Sequence, residues 1–273
     1  IAFQVHGIYN KAQEGKTVRW KNIKIKTIDL ENTRKKVDPE VPEFSYLNNK
    51  LTEQEQRAGW RLLWDGKTSN GWRSAKSDQF PTKGWMIADG TLKVEKSEGF
   101  ESRNGGDIIT EDLFSDFELS VDFKMTEGAN SGIKYFVDPT LLKGFGSAIG
   151  LEFQVLDDQN HPDAKQGKNG NRTVGSLYDL IRAESFTSRR GKNFKGISQW
   201  NNARIVVKGG KVEHWLNHVK VVEYDRFSQM FLALIEKSKY ERYENFGRLP
   251  EGHILLQDHG DAVSFRNIKV REF

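Results

Sequence analysis

Apolar and polar residues alternate with period two along much of this chain, and turn signals interrupt the alternation roughly every eight to twelve residues. Phe117-Glu118-Leu119-Ser120-Val121-Asp122-Phe123-Lys124-Met125 alternates strictly, so its Phe, Leu, Val and Met side chains share one face of a strand. Arg204–Lys208 and Lys211–Leu216 flank Gly209-Gly210, which predicts a tight hairpin, and Asn217-His218 leads into a further strand, Val219–Tyr224. Gly84–Val94 predicts a hairpin turning at Asp89-Gly90. Helical spacing occurs in two places. Ser228–Tyr240 carries Met230, Phe231, Leu234 and Ile235 on one stripe, and Leu51–Glu55 has capping-box spacing between Thr52 and Glu55. Many short strands and one or two short helices predict an all-β protein, a β-sandwich of the jelly-roll kind.

The two ends of the chain resemble each other. Ile1-Ala2-Phe3-Gln4-Val5-His6-Gly7 followed by Val18-Arg19-Trp20-Lys21-Asn22-Ile23-Lys24-Ile25 parallels Ile254-Leu255-Leu256-Gln257-Asp258-His259-Gly260 followed by Val263-Ser264-Phe265-Arg266-Asn267-Ile268-Lys269-Val270. A unit that recurs at both ends predicts that residues 1–27 form a β-hairpin equivalent to the closing strands of a preceding copy of the same domain. Residues 28–58 are polar, carry Pro39 and Pro42, pass through Asn48-Asn49-Lys50 and read as a linker; residues 59–273 read as one jelly-roll domain. An opening Ile1 in place of Met reads as a processed or trimmed product.

Composition narrows the function. The absence of Cys removes disulfides and thiolate metal sites. The formal charge of +4 comes from 42 basic and 38 acidic residues that are scattered, with Arg34-Lys35-Lys36 and Arg189-Arg190 the only short basic runs, so no nucleic-acid surface is expected. No apolar run reaches the roughly 18 residues of a membrane-spanning helix. Gly144-Phe145-Gly146 lacks the strand–turn–helix setting of a dinucleotide fingerprint, and Asn171-Arg172-Thr173, a glycosylation sequon in form, reads as a turn.

Candidate chemistry comes from polar residues inside apolar strands. In Gly150–Asp157, Leu151, Phe153 and Val155 point to the core, so Glu152 and Gln154 project from the opposite face. His253, Leu255, Gln257 and His259 share a face of the next-to-last strand. In Asn130–Phe136, Ile133 and Tyr135 share one face, and Asn130, Gly132, Lys134 and Phe136 share the other. In one curved sheet, Lys134, Glu152, Gln154, Gln257 and His259 line the concave side. The oxygen-rich loop Asp157–Asp163 suits a hard divalent cation such as Ca²⁺, although it lacks the Gly and Glu of an EF-hand; its other reading is a polar turn stopped by Pro162. The six His show no zinc-type spacing. Trp72, Trp85, Trp200 and Trp215 are candidate sugar-stacking rings. Trp85 and Trp215 sit in alternating strands and read as core, while Trp200, beside Asn201, reads as a sugar contact, and Phe145 as part of a mobile lip.

The strings Leu62-Leu63-Trp64-Asp65-Gly66-Lys67, Gly71-Trp72, Asn130-Ser131-Gly132-Ile133, Glu152-Phe153-Gln154-Val155-Leu156-Asp157, Gly175-Ser176-Leu177-Tyr178, Trp200-Asn201, His214-Trp215-Leu216-Asn217 and Leu256-Gln257-Asp258-His259-Gly260 through Phe265-Arg266-Asn267-Ile268 occur in this order. Together they closely resemble the 3-keto-disaccharide hydrolase family over about residues 59–273. The resemblance implies a concanavalin A-like jelly roll, export to the periplasm or beyond in Bacteroides-type bacteria, and cleavage of 3-keto-glycosides. The chain departs from the family pattern at Asn217-His218, where Asn-Gly is usual, and at Lys134-Tyr135-Phe136-Val137, where many members carry Arg.

The implied chemistry starts at a C3 ketone that acidifies the C2 hydrogen of a sugar. A base removes that proton, the enolate expels the C1 substituent, and water adds to the enone. The resemblance implies Glu152 or His259 as base. It implies enolate stabilisation by Lys134 or by a metal for which Glu152, His259 and Asp157 are candidate ligands, proton donation by Tyr178, and substrate contacts from Gln154, Gln257, Asn130, Trp200 and Asn201. An oligosaccharide or glycoside would be the substrate and a keto-forming sugar dehydrogenase a partner. The competing expectation is a non-catalytic, lectin-like carbohydrate-binding module. Glu152, Lys134 and His259 in apolar strands favour the enzyme, because a lectin needs no titratable base.

Overall fold

The computed structural model describes residues 47–97, 101–141, 146–187 and 191–273, together with Trp20 and Ile23. Apart from those two positions, the hairpin expected over 1–27 lies outside the described residues, as does Phe145. The chain divides into two compact units, Ile1–Pro42 and Glu43–Phe273, and the sandwich belongs to the second.

Among the described residues, thirteen strands follow in chain order: β1 Arg61–Leu62, β2 Trp72–Ser74, β3 Trp85–Ala88, β4 Thr91–Val94, β5 Ile108–Thr110, β6 Phe117–Met125, β7 Asn130–Asp138, β8 Ile149–Leu156, β9 Asn201–Lys208, β10 Lys211–Leu216, β11 Val219–Asp225, β12 His253–Leu256 and β13 Val263–Glu272. All pairings are antiparallel. One sheet runs β11-β10-β9-β6-β13-β4-β3, with β1 also on β13, and the other runs β2-β5-β12-β7-β8. This is the predicted jelly-roll sandwich.

The core lies between the sheets. The alternating residues of β6 bury Phe117, Leu119, Val121 and Phe123 completely, and Phe123 meets Phe153 of β8 edge-on at 6.4 Å. Each such aromatic ring contributes roughly 1.5–3 kcal/mol by leaving water. One polar chain crosses this core. His214 Nδ1 donates to Gly175 O at 3.0 Å, so its Nε2 accepts from the Tyr135 hydroxyl at 2.8 Å, and Tyr135 accepts from Tyr224 at 2.8 Å. Burial holds the His214 ring at a pKa of about 4, so it stays neutral.

The turns follow the sequence. Asp89 and Gly90 join β3 to β4, and Gly209 and Gly210 join β9 to β10, all with positive φ, as two-residue hairpins require. Asn217 and His218 join β10 to β11 at φ +46° and +70°. His218 therefore holds a left-handed conformation that costs a non-Gly residue about 1–2 kcal/mol. Helix α1, Glu53–Arg57, has the predicted capping box between Thr52 and Glu55, and Glu55 pairs with Lys269 of β13. Helix α2, Gln229–Glu236, is capped by Ser228 and ends before Tyr240.

Two face assignments are corrected. Strand β7 shifts register between Tyr135 and Asp138, and Phe136, at φ +50°, is the bulged residue. The bulge turns Phe136 into the core beside Tyr135, so it does not share the face of Lys134; Val137 takes the outer side with Ala75, Ile109, Ala148 and Leu255. Trp215 is not core. It lies on the outer face of the larger sheet, its indole N–H on Glu213 at 2.8 Å and Arg204 over its ring at 4.8 Å.

Candidate active site

The polar residues expected on one face of β7, β8 and β12 do converge there. Lys134 lies opposite Glu152, and Gly132 opposite Gln154, in the β7–β8 ladder; Leu255 of β12 pairs with Lys134 from the other side. The Glu152 side chain lies flat across Gly132. A methyl group at position 132 would come within 2.8 Å of its Cδ and closer still to Oε1, so only glycine leaves room for the carboxylate.

Lys134 Nζ sits 3.7 Å from Glu152 Oε2, and it also donates to Ser147 Oγ and to Ala148 O at 3.1 Å. Two of its three N–H donors are thereby taken up by hydrogen bonds, and the ammonium faces the Glu152 carboxylate as an ion pair, which fits an anchor better than an electrophile. Behind it, the buried Asp107 carboxylate accepts from Ser147 Oγ, Ala148 N (2.9 Å), Ser102 Oγ (3.0 Å) and Asp258 N (3.1 Å). Burial raises the Asp107 carboxyl above its ordinary range, against the pull of Lys134 and these donors.

Glu152 is also buried, and burial raises its pKa; Lys134 and Lys239 pull it down, Glu101 pushes it up, and His259 pulls it down. Gln154 bridges outward: with its amide nitrogen turned towards Glu152 Oε1 (3.2 Å) and Ser131 O (3.0 Å), its other amide atom lies 3.3 Å from Asn130 Oδ1. Gln257 donates to Glu101 Oε1 at 3.0 Å, while its own buried Oε1 has no partner among the described residues.

Tyr178 enters from the strap after β8. Its hydroxyl donates to Asp163 Oδ2 at 2.9 Å, and burial, then the charges of Glu152 and Asp163, push its pKa up. Arg172 clamps Asp163 and Asp179, each at 2.7 Å, and stacks on the Tyr178 ring. The Tyr178 proton is thus directed at Asp163. Lys239, absent from the sequence expectations, covers the other side, with Nζ 4.4 Å from the Tyr178 ring centroid and 5.3 Å from that of Tyr240. Burial lowers its pKa, opposed by Glu152 and Asp179. In the sequence it fell inside the helical segment expected over Ser228–Tyr240, but the helix ends at Glu236 and leaves Lys239 beyond it.

His259 meets His161 and Asp261 at the end of this row. One ligand atom from each lies within 4.8 Å of the others. Sequence spacing could not reveal the trio, because His161 and His259 lie far apart in the chain. Burial, then His259, lower the pKa of His161.

Several expected site residues lie elsewhere. The Asp157 oxygens are engaged by protein donors, accepting from Gly128 N (2.8 Å), Gln159 N (3.1 Å), Asn160 N (3.3 Å) and Asn160 Nδ2 (2.8 Å). Burial pushes its carboxyl up, but these donors hold it below its ordinary value. The oxygen-rich loop is the polar turn. Trp200 lies on the outer face of the larger sheet, across the core from Glu152, with Arg266 over its ring at 4.0 Å. Asn201 is buried and structural, accepting from Lys195 N (2.9 Å) and Asn217 Nδ2 (2.7 Å). Trp72 is core, its N–H on Leu63 O at 2.8 Å, as is Trp85, whose N–H bonds Gly106 O at 2.7 Å.

On the outer face of this jelly roll gather a buried carboxylate, two lysines and two histidines, and similarity to known proteins places such a fold and site among the carbohydrate-active enzymes. Residues 59–271 match the 3-keto-alpha-glucoside-1,2-lyase-like domain, and the chain belongs to that family. It is 40% identical over 233 residues to a 3-keto-disaccharide hydrolase from Bacteroides thetaiotaomicron, covering 78% of each chain. Two crystal structures from Parabacteroides distasonis, both described as candidate glycosyl hydrolases, share the fold. One has 27% identity and a TM-score of 0.70, covering 83% of this chain and all of that one; the other has 26% identity and a TM-score of 0.56, covering 78% and 99%.

Proposed function

We propose that this enzyme cleaves 3-keto-glycosides by elimination followed by hydration, with Glu152 as the base. The observation that carries this reading is the position of the Glu152 carboxylate. It is buried, held over Gly132, flanked by Lys134 and Lys239, and among the described residues bound by no backbone N–H that would make it a poor base. In the proposed cycle, Glu152 takes the C2 proton and the electron pair moves towards the C3 oxygen. The C1–O bond then breaks, and the leaving oxygen gains a proton. Water adds at C1, C2 regains a proton, and the net result is hydrolysis. In this reading Lys239, whose ammonium is held by aromatic faces, stabilises the enolate oxygen, and Gln257 Oε1, without a partner among the described residues, accepts a substrate hydroxyl.

The substrate carries an oxidised C3, so an oxidising enzyme acting on sugars, such as a dehydrogenase, must precede this one. Export to the periplasm or beyond is part of the same proposal. The test is release of a chromogenic leaving group from a 3-keto-glucoside. Glu152→Gln is expected to lower turnover roughly 10²–10⁴-fold with ligand binding retained. Full activity in that variant would remove Glu152 from the mechanism. Saturable sugar binding without turnover by the unaltered protein would select the lectin-like alternative.

A further inference from the structure

We propose that His161, His259 and Asp261 form a site for a divalent transition-metal ion at the end of the polar face that holds Glu152. The three side chains reach one another from different turns. His161 opens the short turn of 3₁₀ helix Pro162–Lys165, whereas His259 and Asp261 follow β12. All three are half-buried, and one ligand atom from each lies within 4.8 Å of the other two. Metal–nitrogen bonds of about 2.1 Å bring tetrahedral donors to about 3.4 Å from one another, a closure that rotation of half-exposed side chains supplies.

Two details favour a cation over a simple polar cluster. His259 Nδ1 is buried and has no partner among the described residues, so this nitrogen has lost water without replacement. Asp261 is fixed by one oxygen only, Oδ2, which accepts from Asn130 N at 3.0 Å; no hydrogen bond among the described residues uses Oδ1. The His161 and His259 rings meet edge-on at 86° with centroids 6.1 Å apart. His161 Nδ1 accepts from Asp163 N at 3.2 Å, a long bond. Ligation through Nε2 places the ring proton on Nδ1 and displaces this one contact.

Two imidazoles and one carboxylate suit zinc, iron(II) or a similar borderline ion, and suit Ca²⁺ poorly. Three protein ligands leave at least one position open, the arrangement of a reactive rather than a structural site. Asn130 touches both Asp261 and the Gln154 that leads to Glu152, which places the ion at the edge of the same surface. An open position there would bind an oxygen of the sugar; that role rests on the proposed function, whereas binding of the ion does not.

The test is titration of chelator-treated protein with Co²⁺, read by its visible ligand-field absorption, with chromogenic turnover followed on the same samples. One equivalent of Co²⁺ is expected per chain, displaced by Zn²⁺, with uptake weakened at least tenfold in both His161→Ala and Asp261→Asn. Circular dichroism confirms that each variant is folded, and the near-isosteric Asp261→Asn stands if His161→Ala fails to fold. No uptake by the unaltered protein, binding of Ca²⁺ alone, or unchanged uptake in the folded variants would overturn the site. Uptake without turnover keeps the metal site and removes the 3-keto-glycoside reading, and turnover without uptake does the reverse.

Discussion

At the scale of single residues, the glycine beneath the carboxylate matters as much as the carboxylate itself. Gly132 contributes no polar atom, yet it lets Glu152 lie across the sheet. Gly132→Ala is expected to lower kcat by about 10²-fold, because a shift near 1 Å in a reacting group has effects of that size, while overpacking costs stability only about 1–3 kcal/mol. Steady-state kinetics beside a thermal melt separates the two, and a normal kcat with a lowered melting temperature would count against the geometry. The alternation of β8 and β12 already placed Glu152, Gln154, Gln257 and His259 on one face, because period two is a local property that survives folding. Asp107, His161 and Lys239 were not legible in this way. They come from loops or helix ends, and only tertiary packing brings them to the sheet. Trp200 and Asn201 were misplaced for a related reason: a loop's composition does not reveal which face of a sandwich it borders.

At the scale of elements, the bulge in β7 and the segment after α2 shape the surface. The bulge turns Phe136 inward, where strict alternation would have left a phenylalanine beside Lys134. The segment after α2 carries Lys239 and Tyr240 over Tyr178. Lys239→Met is expected to lower kcat/KM about 10–100-fold, the usual range for losing a charged contact in a dry site. Because the Lys239 charge helps hold the Glu152 pKa down, the same variant should move the acid limb of the pH–rate profile to higher pH. An unmoved limb would mean that the two groups do not communicate. Helix α2 itself was legible from its 3.6-residue stripe, but it stops at Glu236, short of the expected Tyr240, and the chemistry lies just past its end.

At the scale of the whole molecule, the buried His214 chain makes stability depend on pH. The ring's folded pKa of about 4 lies below the ordinary value near 6.5. The unfolded chain therefore takes up a proton between those values that the fold refuses. The contribution is fully present above about pH 6.5 and is lost as pH falls towards 4, reaching about 3 kcal/mol. Urea midpoints measured from pH 7 down to pH 4 should fall accordingly, and a flat profile would show that His214 is protonated in the fold at no such cost. His161, His218 and His253 are depressed in the same direction, burial being the first cause for each, and would add to the slope.

The order of strands has a consequence for how the chain comes to life. Strand β12 lies inside the smaller sheet, between β5 and β7, and β13 lies inside the larger, between β6 and β4. Both follow the other described strands in the chain, so neither sheet can close, and no carboxylate can be set over its glycine, until these two strands have been added. Until those two strands arrive, the earlier ones hold their places without a closed core.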